Sequence, residues 1–209
     1  MRILSYIISI FLICSVNVYA IDWTFNEAFT NDDDWTQIGL HSNYFISNGM
    51  LTSNTGDIGG RCAVYDNYKP DSNAHTFVIR CKAGQKDHDT PLVILGYDDN
   101  DTAEWSLYFR DNKSGITGVQ LVGSTNEYVS YDNTQWAIFR VTWDGTTVNL
   151  YKDEYPVPVA TSGGRGKSGS FGIQVRFDNL TTEAPVVDYM YCIDGVVIPP
   201  RNIKQSLIQ

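Results

Sequence analysis

The stretch Trp136 to Tyr151, WAIFRVTWDGTTVNLY, constrains the fold more than any other, because it specifies a turn, a register and two faces at once. Asp144-Gly145 is a residue pair that tolerates positive φ at both centres, which predicts a type I′ turn joining two antiparallel strands. With that turn Trp143 faces Thr146, Val141 faces Val148 and Phe139 faces Leu150 on one side of the sheet. Thr142 then faces Thr147, and Arg140 faces Asn149, on the other side. Apolar and polar pairs separate, as they must when one face meets a core and the other meets solvent or a ligand.

The same period of two recurs along the chain, and no segment carries a helical period. Strands are expected at Trp23 to Phe29, Tyr44 to Ser47, Met50 to Ser53, Arg61 to Tyr65, His75 to Lys82, Leu92 to Tyr97 and Glu104 to Arg110. Gly115 to Val122, Tyr128 to Tyr131, the central hairpin, Ser170 to Phe177 and Val186 to Ile193 continue the series. About a dozen short strands divided by Gly, Asn and Asp turns predict an all-β fold, a two-sheet antiparallel β-sandwich or jelly roll. Ser162 to Ser170, SGGRGKSGS, reads as a mobile loop. Pro199-Pro200 ends the last strand, since neither can donate to a ladder.

Residues 1–20 have Arg2 near the start, an apolar run from Ile3 to Cys14, and Val18-Tyr19-Ala20 with small residues where a signal peptidase reads. This predicts a signal peptide cleaved after Ala20, because the apolar run is short for a bilayer span. Cys14 is preceded by Ile13, which does not suit lipoprotein processing. One domain over residues 21–200 and a tail over 201–209 follow, with secretion to an extracellular or periplasmic space and no membrane span.

Cleavage takes Arg2 from the 15 basic residues, leaving 14 against 24 acidic ones, a formal charge of −10. Such a surface repels phosphate backbones and anionic membranes, so nucleic acid is not an expected partner. Cys62, Cys81 and Cys192 remain, with no metal or redox spacing; one disulfide plus a thiol, or three thiols, both fit. A structural role is preferred, with Cys81 on the face of Phe77 and Ile79, and Cys192 on that of Val186 and Met190.

Several patterns, in order along the chain, resemble the concanavalin A-like lectin/glucanase superfamily and its laminin G-like domains. They are Phe25-Asn26-Glu27-Ala28-Phe29 followed by Asp34-Trp35, then Ile46 to Leu51, the stretch Arg140 to Gly145 with Val148 to Tyr151, and Val187-Asp188-Tyr189 with Asp194-Gly195-Val196 and Pro199. The resemblance implies two curved antiparallel sheets packed face to face, the concave one carrying glycan-binding or catalytic groups. It also implies a structural calcium near the first and last strands, where Glu27 and Asp188 stand. Glucanases of this superfamily carry Glu-x-Asp-x-Glu on one strand; here Glu104 is followed by Trp105, Ser106, Leu107 and Tyr108, so the paired carboxylates of that design are missing.

Alternation places Trp105, Leu107 and Phe109 on one side of their strand, and Glu104, Ser106, Tyr108 and Arg110 on the other. Arg80 and Lys82 stand opposite Phe77 and Ile79, and Gln174 and Arg176 opposite Ile173 and Val175. If these polar faces share one sheet, they form a groove of amide, phenol and guanidinium groups, which hydrogen-bond sugar hydroxyls or clamp uronate carboxylates. The candidate ligand-binding residues are therefore Arg80, Glu104, Tyr108, Arg110, Gln120, Gln174 and Arg176, with Tyr108 and Arg110 the preferred pair. Alternation alone also yields a plain solvated face.

His75, His41 and His88 read as turn or edge histidines. The Asp- and Asn-rich runs at 31–34, 87–89 and 98–101 read as turn chemistry before calcium loops. Trp35, Tyr44, Tyr65, Tyr68, Tyr97, Tyr128, Tyr131 and Tyr155 are candidates for stacking on a sugar ring. The expected function is a secreted, non-catalytic carbohydrate-binding domain that contacts a polysaccharide through its concave sheet and adjoining loops. The alternatives are a polysaccharide-degrading enzyme, more readily a lyase on uronates than a hydrolase, using Tyr108, Arg110, Gln120 and His75, and a structural or adhesive surface protein.

Overall fold

The computed structural model describes residues 23–27, 35–38, 44–53, 61–65, 74–85, 89–97, 103–165, 172–177 and 182–199. The side chains it describes are those of 46–52, 74–85, 89–94, 96, 104–165 and 182–199. The segment expected as a signal peptide, the tail over 201–209, Cys62, His41, His88 and the acidic runs apart from Asp89 lie outside these side chains. None of the described residues forms a helix, and so none forms a helix long and apolar enough to cross a membrane.

Fifteen strands form two antiparallel sheets: β1 (Trp23–Glu27), β2 (Trp35–Ile38), β3 (Tyr44–Ser47), β4 (Met50–Ser53), β5 (Arg61–Tyr65), β6 (His75–Lys82), β7 (Asp89–Tyr97), β8 (Ala103–Lys113), β9 (Ile116–Val122), β10 (Asn126–Ser130), β11 (Ala137–Trp143), β12 (Thr147–Lys152), β13 (Ala160–Gly163), β14 (Gly172–Phe177) and β15 (Val186–Asp194). The first sheet runs β13-β12-β11-β6-β15-β4-β3, with β1 also paired to β15. The second runs β10-β9-β8-β7-β14-β5-β2.

Alternate residues of both sheets meet in one core, where Phe77, Trp105, Phe109 and Phe139 are fully buried. Each such side chain contributes roughly 1.5 to 3 kcal/mol of transfer free energy. Phe109 stands edge-on to Phe139, their ring centres 5.2 Å apart, which joins the middle strands of the two sheets. Val141, Trp143, Val148 and Leu150 are buried as the hairpin pattern requires.

The turn of that hairpin differs from the expectation by two residues of register. Trp143 pairs with Val148, Val141 with Leu150 and Thr142 with Asn149, so the turn centres are Gly145 and Thr146 rather than Asp144 and Gly145. Gly145 alone has positive φ, at 94°, the arrangement that suits a type II′ turn. The carboxylate of Asp144 explains the choice: its Oδ1 accepts from the backbone N–H groups of Thr146 and Thr147 at 2.8 and 2.7 Å. A shift of two residues leaves every side chain on its expected face, because the side-chain period is two.

Two further differences follow from irregular backbone. A bulge between Val187 and Tyr189 on β15 puts Val187, not Val186, in the core with Met190 and Cys192. Cys81 shares the core with Phe77 and Ile79, and both Cys81 and Cys192 are free buried thiols. The expected loop from Ser162 begins inside a strand, since Ser162 and Gly163 belong to β13. Its small residues permit close approach: a Cβ on Gly164 would come within 2.0 Å of the Trp143 ring, and Ser124 N–H donates to Gly163 O at 2.7 Å.

Candidate outer face of the second sheet

β8 lies near the middle of the second sheet, and its alternation is the expected one. Trp105, Leu107 and Phe109 are fully buried in the core, while Glu104, Ser106, Tyr108 and Arg110 project from the opposite face. Backbone register then aligns residues from neighbouring strands. Tyr108 lies opposite Gln120 on β9 and Val93 on β7; Gln120 lies opposite Tyr128 on β10, and Val93 opposite Arg176 on β14. Four strand spacings carry this row roughly 19 Å across the sheet. Gln174 holds the equivalent position opposite Leu95 in the next row, which also contains Ser106.

Three side chains of the row and two of its neighbours form a connected network. Arg110 Nε and Nη2 donate to Gln120 Oε1 at 2.9 and 2.6 Å, and Nη1 donates to Thr90 Oγ1 at 2.7 Å. Gln120 Nε2 donates to the Tyr128 hydroxyl at 2.9 Å. The guanidinium also lies over the Tyr108 ring, 4.8 Å from its centre, a cation–π contact. Gln120 is buried beneath these contacts, Tyr108 and Arg110 are partly exposed, and Tyr128 is 51% exposed. A guanidinium has five N–H donors. Three are committed, and the Tyr128 hydroxyl, as an acceptor from Gln120, keeps its proton for another partner.

The other end of β8 is closed. Glu104 is 6% exposed and Ser106 fully buried, with the Ser106 hydroxyl making no hydrogen bond among the described residues. Of the expected set, Tyr108, Arg110 and Gln120 are thus brought together at an open end, and Glu104 is placed on their face but beneath the surface. Gln174 and Arg176 keep register positions on the same sheet.

Arg80 does not join them. It lies on β6 of the first sheet, ion-paired to Asp188 and 4.5 Å above the Trp136 ring. The expectation of one shared polar face therefore holds for β8 and β9 and fails for β6. Asp188 and Glu27 are close in register, since Glu27 pairs with Met190. Asp188 is paired with Arg80, the Glu27 side chain lies outside those described, and no group of three or more His, Cys, Asp or Glu gathers among the described residues.

His75 is not an edge residue. It points into the core, where its Nε2 accepts a hydrogen bond from Trp105 Nε1 at 3.1 Å and ties the two sheets together. Asp89 binds Lys113 at 2.6 Å. Among the aromatic candidates with described side chains, Tyr131 is buried in the core cluster, and Tyr128 and Tyr155 are exposed. Thr90, which holds Arg110, was not foreseen; a threonine before Pro91 gives no sequence signal beyond strand entry.

No family model matches the chain, and no curated protein matches it. Solved structures do. A putative beta-glucanase from Mycobacterium abscessus is similar over 81% of this chain and 99% of its own, at 14% identity and a TM-score of 0.62. The carbohydrate recognition domain of Emp46p is similar over 85% of this chain and 99% of its own, at 13% identity and a TM-score of 0.62. The exoplasmic/lumenal domain of VIP36, solved with Ca2+ and Man3GlcNAc bound, is similar over 90% of this chain and 94% of its own, at 7% identity and a TM-score of 0.63. A match to a sialidase spans only 17% of that longer chain. Identities this low carry the fold and nothing finer.

Proposed function

The chain has the concanavalin A-like fold, and on that premise we propose that it is a secreted carbohydrate-binding domain that contacts a polysaccharide through the outer face of its second sheet. The observation that carries this reading is the network in which Tyr108, Arg110 and Tyr128 reach solvent over a buried Gln120, on a face made of regular strands. It offers what a sugar needs. The exposed Tyr128 ring gives a flat surface for the CH groups of a pyranose, and the guanidinium and phenol give donors for its hydroxyls. The partners hold one another, so little side-chain entropy is lost when a ligand arrives.

Secretion is part of the reading and rests on residues 1–20, with cleavage after Ala20. A two-carboxylate hydrolase is the less apt reading, because Glu104 is buried and the next outward positions of β8 are Ser106, Tyr108 and Arg110. Two carboxyl groups about 5 to 10 Å apart are what that chemistry requires.

A glycan array probed with the mature protein tests the proposal. Selective binding is expected, and Tyr128→Ala and Tyr108→Ala should each weaken it several-fold or more, in line with about 0.5 to 1.5 kcal/mol for an aromatic contact. A mature protein that ignores every glycan, or variants that bind as the parent does, would remove this face from the account.

A further inference from the structure

We propose that the glycan taken by this face is acidic, and that Arg110 is the residue that holds its carboxylate or sulfate group; the inference rests on the glycan-binding reading above. The strand-borne arginines whose side chains are described have different partners. Arg80 on β6 is paired with Asp188, and Arg140 on β11 with Glu154 at 2.6 Å. Arg110 on β8 is held instead by two neutral acceptors, Gln120 Oε1 and Thr90 Oγ1, and by the face of Tyr108. Its geometry is fixed, yet among the described residues no carboxylate pairs with it.

Asp111 follows Arg110 on β8 and pairs in register with Asp89, on the strand that also carries Thr90. The neighbouring cation Lys113 takes the carboxylate of Asp89. Glu104 shares the outward face but stands six residues along the strand, roughly 20 Å away. That exceeds the Debye length of about 8 Å at physiological salt, so its charge does little at Arg110. Among the described residues, two of the five guanidinium N–H groups remain without a partner, as does the hydroxyl proton of the Tyr128 side chain that Gln120 links to it. An anionic oxygen pair on a sugar is the group that meets such donors with charge as well as hydrogen bonds. The net charge of the chain, −9, makes an unneutralised arginine a local exception on an acidic surface.

Both a uronate carboxylate and a sulfate ester would satisfy these donors, and paired probes separate them. Titration calorimetry of the mature protein would compare polygalacturonate with the same polymer after carboxyl reduction, and a sulfated galactan with its desulfated form. The charged member of at least one pair should bind about tenfold tighter than its neutral counterpart, the size expected for hydrogen bonds to a charged group. That advantage should disappear in Arg110→Gln and be partly kept in Arg110→Lys, which retains the charge without the fork. Equal affinity within both pairs, a comparison that needs no variant, would overturn the inference. So would an advantage that survives Arg110→Gln. If neutral glycans bind and charge adds nothing, glycan binding stands and the acidic ligand falls; if no polymer binds, both fall.

Discussion

Arg140 and Arg110 project from opposite faces of the sandwich, and the chain serves them differently. Arg140 is buried, its Nη2 on Glu154 at 2.6 Å and its Nη1 on the Val197 carbonyl at 3.2 Å. Glu154 reaches it from a turn in which Asp153 and Glu154 both have positive φ, 52° and 57°. Such conformations cost about 1 kcal/mol or more per non-glycine residue. The segment after β15 also crosses this face, with Val197 N–H donating to Thr76 Oγ1 at 2.8 Å and Thr76 Oγ1 donating to Gly195 O at 2.8 Å. Around Arg140 and Thr76 the outer face of the first sheet is thus covered by the chain itself, at some expense in backbone strain. Arg110 receives neutral partners and an exposed tyrosine rim, and no strap crosses it among the described residues. The contrast separates a guanidinium used to hold the fold from one left available.

The largest expected effect concerns the closed face. Arg140→Ala should lower stability by about 3 kcal/mol, because it removes a buried side chain with its packing, its hydrogen bond to the Val197 carbonyl and the cation of Glu154. Glu154→Ala should cost about 2 kcal/mol by leaving a buried guanidinium uncompensated, the smaller figure reflecting the solvent that reaches Glu154. Urea denaturation reads both. A loss under 0.5 kcal/mol for Glu154→Ala would place this pair among ordinary surface ion pairs and break the contrast.

On the open face the corresponding change is milder. Arg110→Ala removes hydrogen bonds to Gln120 and Thr90 without stranding a charge, so the expected loss is about 1 kcal/mol. A destabilisation as large as that of Arg140→Ala would mean that Arg110, too, is chiefly a structural residue.

The faces were legible in sequence wherever alternation is strict, as in Glu104 to Arg110 and Phe139 to Trp143. A period of two tells which residues share a side whatever the exact register, which is why the hairpin slipped by two without consequence. What it does not tell is which strands share a sheet. Arg80 and Arg110 have the same local pattern, and only the strand order separates them. Strands β2 and β13 carry little sequence signal because Trp35 to Ile38 and Ala160 to Gly163 are short and the latter lacks bulky residues. The small residues at 162–164 are explained by packing against Trp143 and Ser124, a tertiary demand that composition renders as a loop. Asn48-Gly49, with φ of 53° and 70°, makes the double-positive turn that was expected at Asp144; both dipeptides favour it, and the Asp144 side chain decides the other case. The network around Arg110 needed Thr90, and a threonine becomes an arginine acceptor only once β7 lies beside β8.

The smallest effect, and the one that probes the closed face by pH, lies with Tyr191. Burial raises the pKa of its phenol, opposed by the charge of Arg140, while Glu154 and Tyr189 raise it further; Tyr189 itself is raised by burial. The rings of the two tyrosines stack at 6.1 Å with 13° between their planes. Because the native state holds the phenol proton more tightly than the unfolded chain, the contribution is fully present below the unfolded value of about 10. It is lost as pH rises from there through the higher native pKa. Denaturation midpoints measured from pH 8 to 11 should therefore fall at the alkaline end, and fall less steeply in Tyr191→Phe. Part of the slope should persist in that variant, since burial also raises Tyr131, whose hydroxyl donates to the Gln135 carbonyl in the core. Parallel profiles for parent and variant would show that the first sheet's outer face is wetter than its Arg140 pairing implies, and would weaken the division between closed and open faces from the other side.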